Sequence, residues 1–499
     1  MKNIKSHYLV FAVLVIIVMS FLFSGIFMNF AMTDTYDFMW NWANQGFLLQ
    51  HIRDGRPLYG LLSKLIYPNI SSIEQFKYVR LVALLFMFVF SLCFYRMLIK
   101  YDFPKVKSML IVILFLASPF AGITVHWVVL CLAALALMLV IIASDIAMDA
   151  FMQKQELSTA NFILKLVVSG LLGVCVLCIY QPIFPVFILP AFLIFLKQRN
   201  LKGLWYFLFF NFAIYAIYFV IYNGLLSVLE LEASARGGIG FSGAKVMWFI
   251  NGAISKTWLH SLVFVKYNFR IIIRVITGVA VLYFIFRQLK LIKKEHIFEY
   301  VLTLVMFYIL AYLPNFLAAD IWVSYRSLGG VTAVTTVLFI IAFHEVQLPE
   351  KMTNIICGVF VSIALVSGFY NNHYSIAQVQ SNEYAAVKEE LKKNVVNGLP
   401  KAITTIAPKD DFLYKNKIVP LPVTDEFGLQ SSSRKWVPIP MIKQALFEIT
   451  GNRSEVDKIV FTMCDDKNPL ADSLKTNSLV VDFDLILDAY YKKLKKANK

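Results

Sequence analysis

The feature that most constrains this chain is a series of eleven apolar runs, at 8–30, 79–98, 107–122, 126–144, 162–180, 183–197, 203–222, 269–286, 297–313, 327–343 and 353–371. A helix that crosses a bilayer needs about 20 mostly apolar residues, and fewer where it is short or broken. Each run therefore predicts a membrane-crossing helix. Ser118–His126 and Tyr180–Pro185 are tight hairpins. A re-entrant pair at either one lowers the count by two and leaves the orientation downstream unchanged. A chain that is 59% hydrophobic and 16% charged carries more apolar surface than one core can hide. The expected fold class is mainly α: a polytopic membrane protein of about 11 transmembrane helices, with a small α/β extracytoplasmic C-terminal domain. The first run follows Lys2 and Lys5 and lacks a small-residue cleavage site, so it reads as a retained helix.

The formal net charge is +16. The basic residues lie between apolar runs and in the tail, where lipid headgroups and topology account for them. No nucleic-acid module stands out, and no nucleic-acid partner is expected. With the N-terminus inside, three dense basic loops fall on the cytoplasmic side: Arg96, Lys100, Lys105 and Lys107; Lys197, Arg199 and Lys202; Arg287, Lys290, Lys293 and Lys294. An odd number of spans then puts the tail outside. The predicted domains are 1–371, with outer loops 31–78, 223–268 and 314–326, and 372–499. Five of the six cysteines lie in apolar runs. Cys175 and Cys178 have no second ligand pair beside them and read as small packing residues.

The first outer loop holds Asp34 and Asp37 just past the first run, then two stretches of helical spacing: Phe38, Trp42 and Leu49; Leu58, Leu61, Leu62, Leu65 and Ile66. That pattern predicts two amphipathic helices along the membrane surface. Asp54-Gly55 supplies the turn between them, and Pro57 starts the second. Trp40, Trp42, Tyr59 and Tyr67 fit an interfacial aromatic belt. A carboxylate at a lipid–water boundary can act as a general base, with Arg53 and Arg56 able to fold back toward it. The alternative is a pair of solvated surface acids.

Asp320, Tyr325 and Arg326 sit at the mouth of the ninth and tenth runs. Ionisable groups there usually face a cavity or a partner. An arginine is shaped to hold a phosphate through two parallel hydrogen bonds; a structural Asp320–Arg326 pair or a snorkelling arginine is the alternative. His126, Trp127 and Gln181 cap the two hairpins, where they can line the same cavity or be merely structural. The loop 223–268 contains A-R-G-G-I-G-F-S-G-A-K. It lacks the phosphate-loop spacing and reads either as a flexible flap carrying Arg236 and Lys245 or as an ordinary connection. The tail predicts a helix through Ile376, Val379, Tyr384, Val387 and Leu391, strands at Ile403–Ile406, Lys417–Pro422, Ile459–Met463 and Leu479–Val481, and helices at 440–449 and 484–496. It can bind substrate or brace the outer loops.

This layout resembles the GT-C class of membrane glycosyltransferases, and more narrowly the serotype-converting O-antigen glucosyltransferases of the Gtr type. The resemblance is carried by Asp34 and Asp37 after the first run, D-G-R-P-L-Y-G-L-L at 54–62, and S-Y-R-S at 324–327. It is architectural over 1–371 and positional only in the tail. The spacing T-D-T-Y-D sets the acids further apart than the family pattern, which leaves both as candidates. The resemblance implies transfer of a glucosyl or other hexosyl group from a polyprenyl-phosphate carrier to lipid-linked O-antigen, at the periplasmic face of a bacterial inner membrane, by one inverting displacement. Asp34 or Asp37 is then the base. Arg326, Arg53 and Arg56 hold the departing phosphate, and Asp320, Tyr325, His126, Trp127, Gln181 and Arg236 line the substrate cavity. No metal or other cofactor is expected, and the partners are the lipid-linked donor, the lipid-linked acceptor and membrane lipid. The competing readings are an O-antigen polymerase or another lipid-linked transferase, a flippase or transporter, and a non-catalytic scaffold.

Overall fold

The computed structural model describes residues 2–199, 203–240, 242–259, 267–320, 323–346, 348–396, 398–409, 412–419, 425–464 and 478–497. Lys202, part of the loop 223–268 and residues 420–422 lie outside these. Helix α1 (Lys2–Leu22) leads to three short helices, α2 (Asp34–Asn41), α3 (Gln45–Arg53) and α4 (Pro57–Ile66). Seven helices follow: α5 (Phe76–Lys100), α6 (Lys105–Leu116), α7 (Pro119–His126), α8 (Cys131–Met152), α9 (Thr159–Tyr180), α10 (Leu189–Gln198) and α11 (Trp205–Val228). After α12 (Ala244–Trp248) a π-helical stretch, Phe249–Ile254, runs into α13 (Ser255–Leu259). The apolar part closes with α14 (Tyr267–Leu291), α15 (Ile297–Leu310), α16 (Leu313–Leu317), α17 (Gly329–Glu345) and α18 (Glu350–Tyr370).

All eleven apolar runs are helical, but fewer than eleven helices have spanning length. Among the described residues six are long and apolar enough to cross a membrane, or seven if the bent pair α6–α7 counts as one. Proline explains part of the difference, because it removes an N–H and clashes with the preceding turn. Pro119 restarts the helix at α7, which leaves α6 at 55°. At Tyr180 the backbone turns extended (φ −160°, ψ 98°), and Gln181–Ile188, with Pro182 and Pro185, forms a 3-10 helix before α10. The helices carry apolar side chains outward as well as inward. On α1, Phe11, Val15 and Leu22 are buried while Leu9, Ile16 and Ile17 are exposed. On α14 and α18, Val279, Leu282, Val359 and Val366 face out in the same way. Such a surface is compatible with a hydrocarbon surrounding.

Two local expectations change. The first outer loop folds as three helices rather than two, with a break at 42–44. Trp40, Tyr59 and Tyr67 are buried in protein rather than arrayed in a belt; Tyr59 Oη donates to the Val129 carbonyl at 2.7 Å. The turn at Asp54-Gly55 and Pro57 in the first turn of α4 are present as expected.

The predicted boundary at 371 falls inside a helix. α18 passes through a π-helical stretch, Asn371–Gln378, into α19 (Val379–Asn394), giving one helical run over Glu350–Asn394. Beyond it come β1 (Ala402–Ile406), α20 (Phe412–Lys415), α21 (Pro438–Thr450), α22 (Arg453–Asp457), β2 (Val460–Cys464), β3 (Leu479–Asp482) and α23 (Phe483–Ala497). The three strands form a parallel sheet in the order β2-β1-β3. Lys417–Val419 is turn and bend rather than strand. α21 opens with proline and closes on Gly451 at φ +72°, the asymmetry expected of helix ends. The buried side of α19, Val379, Tyr384, Val387 and Leu391, has the predicted spacing.

Candidate functional site

The segment that leads to Asp34 is fixed by a residue absent from the sequence expectations. Arg80 of α5 is wholly buried. Its Nε donates to the His126 carbonyl at 3.1 Å, and its Nη atoms donate to the carbonyls of Ile26, Met28 and Phe30 at 3.3, 3.4 and 2.5 Å. The guanidinium also stacks on Phe30 at 3.6 Å. A buried charge is tolerable when it is hydrogen-bonded, and these four bonds pin the chain between α1 and α2. Thr33 then takes a left-handed conformation (φ 31°, ψ −108°) while its N–H donates to Ser431 Oγ of the tail at 2.8 Å. A non-glycine residue held in this region is strained by about 1–3 kcal/mol. α2 follows directly, with both acids in its first turn, where the helix dipole favours negative charge. Tyr36, Met39 and Trp40 bury one side of α2, and Asp34, Asp37, Phe38 and Asn41 line a cavity on the other.

That cavity has a volume of about 800 Å³. Its acidic wall is the α2 face. Asn41 Nδ2 donates to Asp37 Oδ1 at 2.6 Å, and Trp436 Nε1, from the tail, donates to Asp34 Oδ1 at 2.9 Å. Burial pushes the Asp37 carboxyl above its ordinary range; the Asn41 bond opposes this and the charge of Asp34 adds to it.

Arg56 and Arg326 line the same cavity. At the α3–α4 turn Gln181 is the organiser. Its Nε2 donates to the Gly55 carbonyl at 2.7 Å and to Tyr218 Oη at 2.9 Å, and its Oε1 accepts from Arg56 Nε at 3.1 Å. Tyr180 lies under the Arg56 guanidinium at 4.7 Å. Gly55 has φ +74°, and a Cβ there would lie 2.4 Å from Tyr218 Oη and 2.6 Å from Gln181 Nε2. Arg326 lies over Trp127 at 4.7 Å and 3.7 Å from Glu426 of the tail. Ser324 Oγ donates to Glu426 at 2.9 Å; the adjacent Asp425 accepts from the Tyr325 N–H at 2.6 Å and from Lys256 at 3.0 Å. Burial and the charge of Asp425 hold Glu426 well above the usual carboxylate range. Asp425 is buried too, yet its contacts with Glu426 and Lys256 keep it below its own.

The rim is stitched rather than loose, which alters the expectation of a flexible flap. Ala319 N donates to the Gly238 carbonyl at 2.8 Å, Gly240 N to Leu317 at 2.9 Å and Asp320 N to Ala235 at 3.0 Å. Lys245 is buried and donates to the carbonyls of Gly240, Phe316 and Ala318. Arg236 lies 3.9 Å from Asp320, so the acid pairs with Arg236 and not with Arg326.

Of the residues singled out from sequence, Asp34, Asp37, Arg56, Gln181, Arg236, Asp320 and Arg326 line this one cavity. Arg53, Tyr325, His126 and Trp127 do not. Arg53 points to the surface, and its carbonyl accepts from Tyr222 Oη at 2.6 Å and from Ser234 N at 3.1 Å. Tyr325 packs on Phe427, and His126 and Trp127 are buried behind the wall. Sequence reasoning missed Trp436, Glu426 and Arg80. Only Arg80 left a local signal, a lone arginine at the head of an apolar run. Searches against protein-family models and against curated proteins find no match to this chain.

Proposed function

We propose that this chain is a GT-C-type membrane glycosyltransferase, which moves a hexosyl group from a polyprenyl-phosphate sugar to lipid-linked O-antigen or a similar glycan at the non-cytoplasmic face. The observation that carries this reading is that Asp34 and Asp37 share one cavity with Arg56 and Arg326. The long apolar helices beside the cavity suit a donor whose tail lies in lipid. In the reaction, Asp37 takes the proton of the acceptor hydroxyl as that oxygen bonds to the anomeric carbon. The bond from the anomeric carbon to the phosphate oxygen breaks, and its electron pair leaves with the polyprenyl phosphate. Arg326 and Arg56 stabilise the charge that develops there. Asp37 is the better base of the two, because desolvation makes its carboxylate more basic while Asn41 orients it. Attack opposite the leaving group inverts the anomeric centre, which needs one base rather than two flanking carboxyls.

The test is transfer of labelled sugar from polyprenyl-phosphate glucose to the acceptor, by the full-length protein in membranes. Asp37→Asn is expected to lower kcat by about 10²–10⁴-fold with insertion unchanged. Normal transfer by Asp37→Asn removes it as the base, and normal transfer by Asp34→Asn and Asp37→Asn alike defeats the reading.

A further inference from the structure

The tail places one side chain in the cavity in a way that bracing alone does not require. Trp436 is 54% exposed, although tryptophan is usually well covered. The residues around it are fixed. Ser431 and Ser432 are buried, and their N–H groups donate to Glu383 at 2.8 and 3.0 Å. Val437 is buried, and its N–H closes a turn onto the Arg434 carbonyl at 2.8 Å. Pro438 then opens α21. Between these anchors the indole projects to the cavity wall, its N–H bonded to Asp34 and much of its ring uncovered. An aromatic face carries negative partial charge, which suits the C–H edge of a pyranose ring. The same cavity is lined by Asn41 and Asn44, whose amides are joined at 3.2 Å, and by the carboxylates of Asp34 and Asp37, all suited to sugar hydroxyls. Arg56 and Arg326 line the same cavity.

We infer that Trp436 is the platform for the acceptor glycan: the sugar that receives the new residue stacks on the indole and turns a hydroxyl toward the α2 carboxylates. This rests on the transferase reading and divides the cavity into a donor side under Arg56 and Arg326 and an acceptor side built partly by the tail. The indole thereby does two things, holding one oxygen of Asp34 and seating the acceptor ring.

The experiment compares Trp436→Ala and Trp436→Phe with the wild type as full-length protein in nanodiscs. KM is measured separately for polyprenyl-phosphate glucose and for lipid-linked O-antigen. Loss of a stacked ring is expected to raise the acceptor KM about tenfold or more in Trp436→Ala. The donor KM should stay within about twofold, and Trp436→Phe, which keeps a ring, should recover most of the acceptor KM. An unchanged acceptor KM, or an equal rise for both substrates, overturns the platform while leaving the transferase reading intact. If the wild type transfers no sugar, saturation-transfer NMR with methyl α-glucoside and methyl α-rhamnoside decides separately. Ring-proton signals lost in Trp436→Ala support the platform without the transferase; signals absent from the wild type, or unchanged in Trp436→Ala, overturn it.

Discussion

Removing the Asn41 amide takes away the donor that opposes the desolvation of Asp37. Burial raises the Asp37 pKa and Asn41 lowers it, so Asn41→Ala should raise it further. A base works only when ionised, so the acid limb of the kcat/KM profile should move to higher pH, with little change on the plateau above it. A limb that stays in place or moves down would remove Asp37 as the titrating group. At this scale the sequence is legible where an ionisable group abuts an apolar run, as with Asp34, Asp37 and Arg326, because the energetic cost of such placement shows locally. It is illegible where the partner comes from far along the chain. The Trp436–Asp34 bond spans 402 positions and the Ser324–Glu426 bond 102. Neither Trp436 nor Glu426 lies in a pattern that marks it.

The turn between α3 and α4 is the element on which the placement of Arg56 depends. Asp54-Gly55 and Pro57 announce it in the sequence through ordinary turn and helix-start chemistry. The reason for glycine comes from elsewhere, since α9 and α11 crowd Gly55 through the residue after α9, Gln181, and through Tyr218. Gly55→Ala combines a left-handed backbone with that contact and is expected to cost about 1–3 kcal/mol, read as a lowered Tm. It should also raise the donor KM, because Gln181 can no longer hold Arg56. Adding Tyr218→Phe removes the nearest atom and should recover part of both losses; no recovery would place the defect in the backbone or in the Gln181 contact. The interrupted runs teach a related lesson. The apolar stretches correctly predict helix, but their length alone does not show that Pro119, Pro182 and Pro185 would divide them.

Across the whole molecule, the tail carries a titratable lock beside the point where Ser431 meets Thr33. Glu383 on α19 is wholly buried and accepts from the N–H groups of Ser431 and Ser432 and from Ser432 Oγ. Burial outweighs these donors and raises its pKa from 4.5 to about 7. A raised acid pKa means that the folded state holds the proton more tightly. The contribution to stability is therefore full below pH 4.5 and is lost as pH rises through about 7, on the order of 3 kcal/mol in all. Melting of the full-length protein between pH 5 and pH 8 should show stability falling in the wild type and a flatter response in Glu383→Gln. Equal slopes would show that Glu383 does not titrate in this window. The sheet and helices of the tail follow from local apolar patterning, but its docking does not, because Thr33, Ser431 and Glu383 become neighbours only after folding.

The helical run Glu350–Asn394 joins the apolar helices to the tail without an intervening loop. Each residue of an α-helix turns the chain by about 100°, so the roll of α18 sets the compass bearing of everything that follows. One residue more or less within this run re-aims α19 by about 100° unless the π-helical stretch Asn371–Gln378 takes up the change.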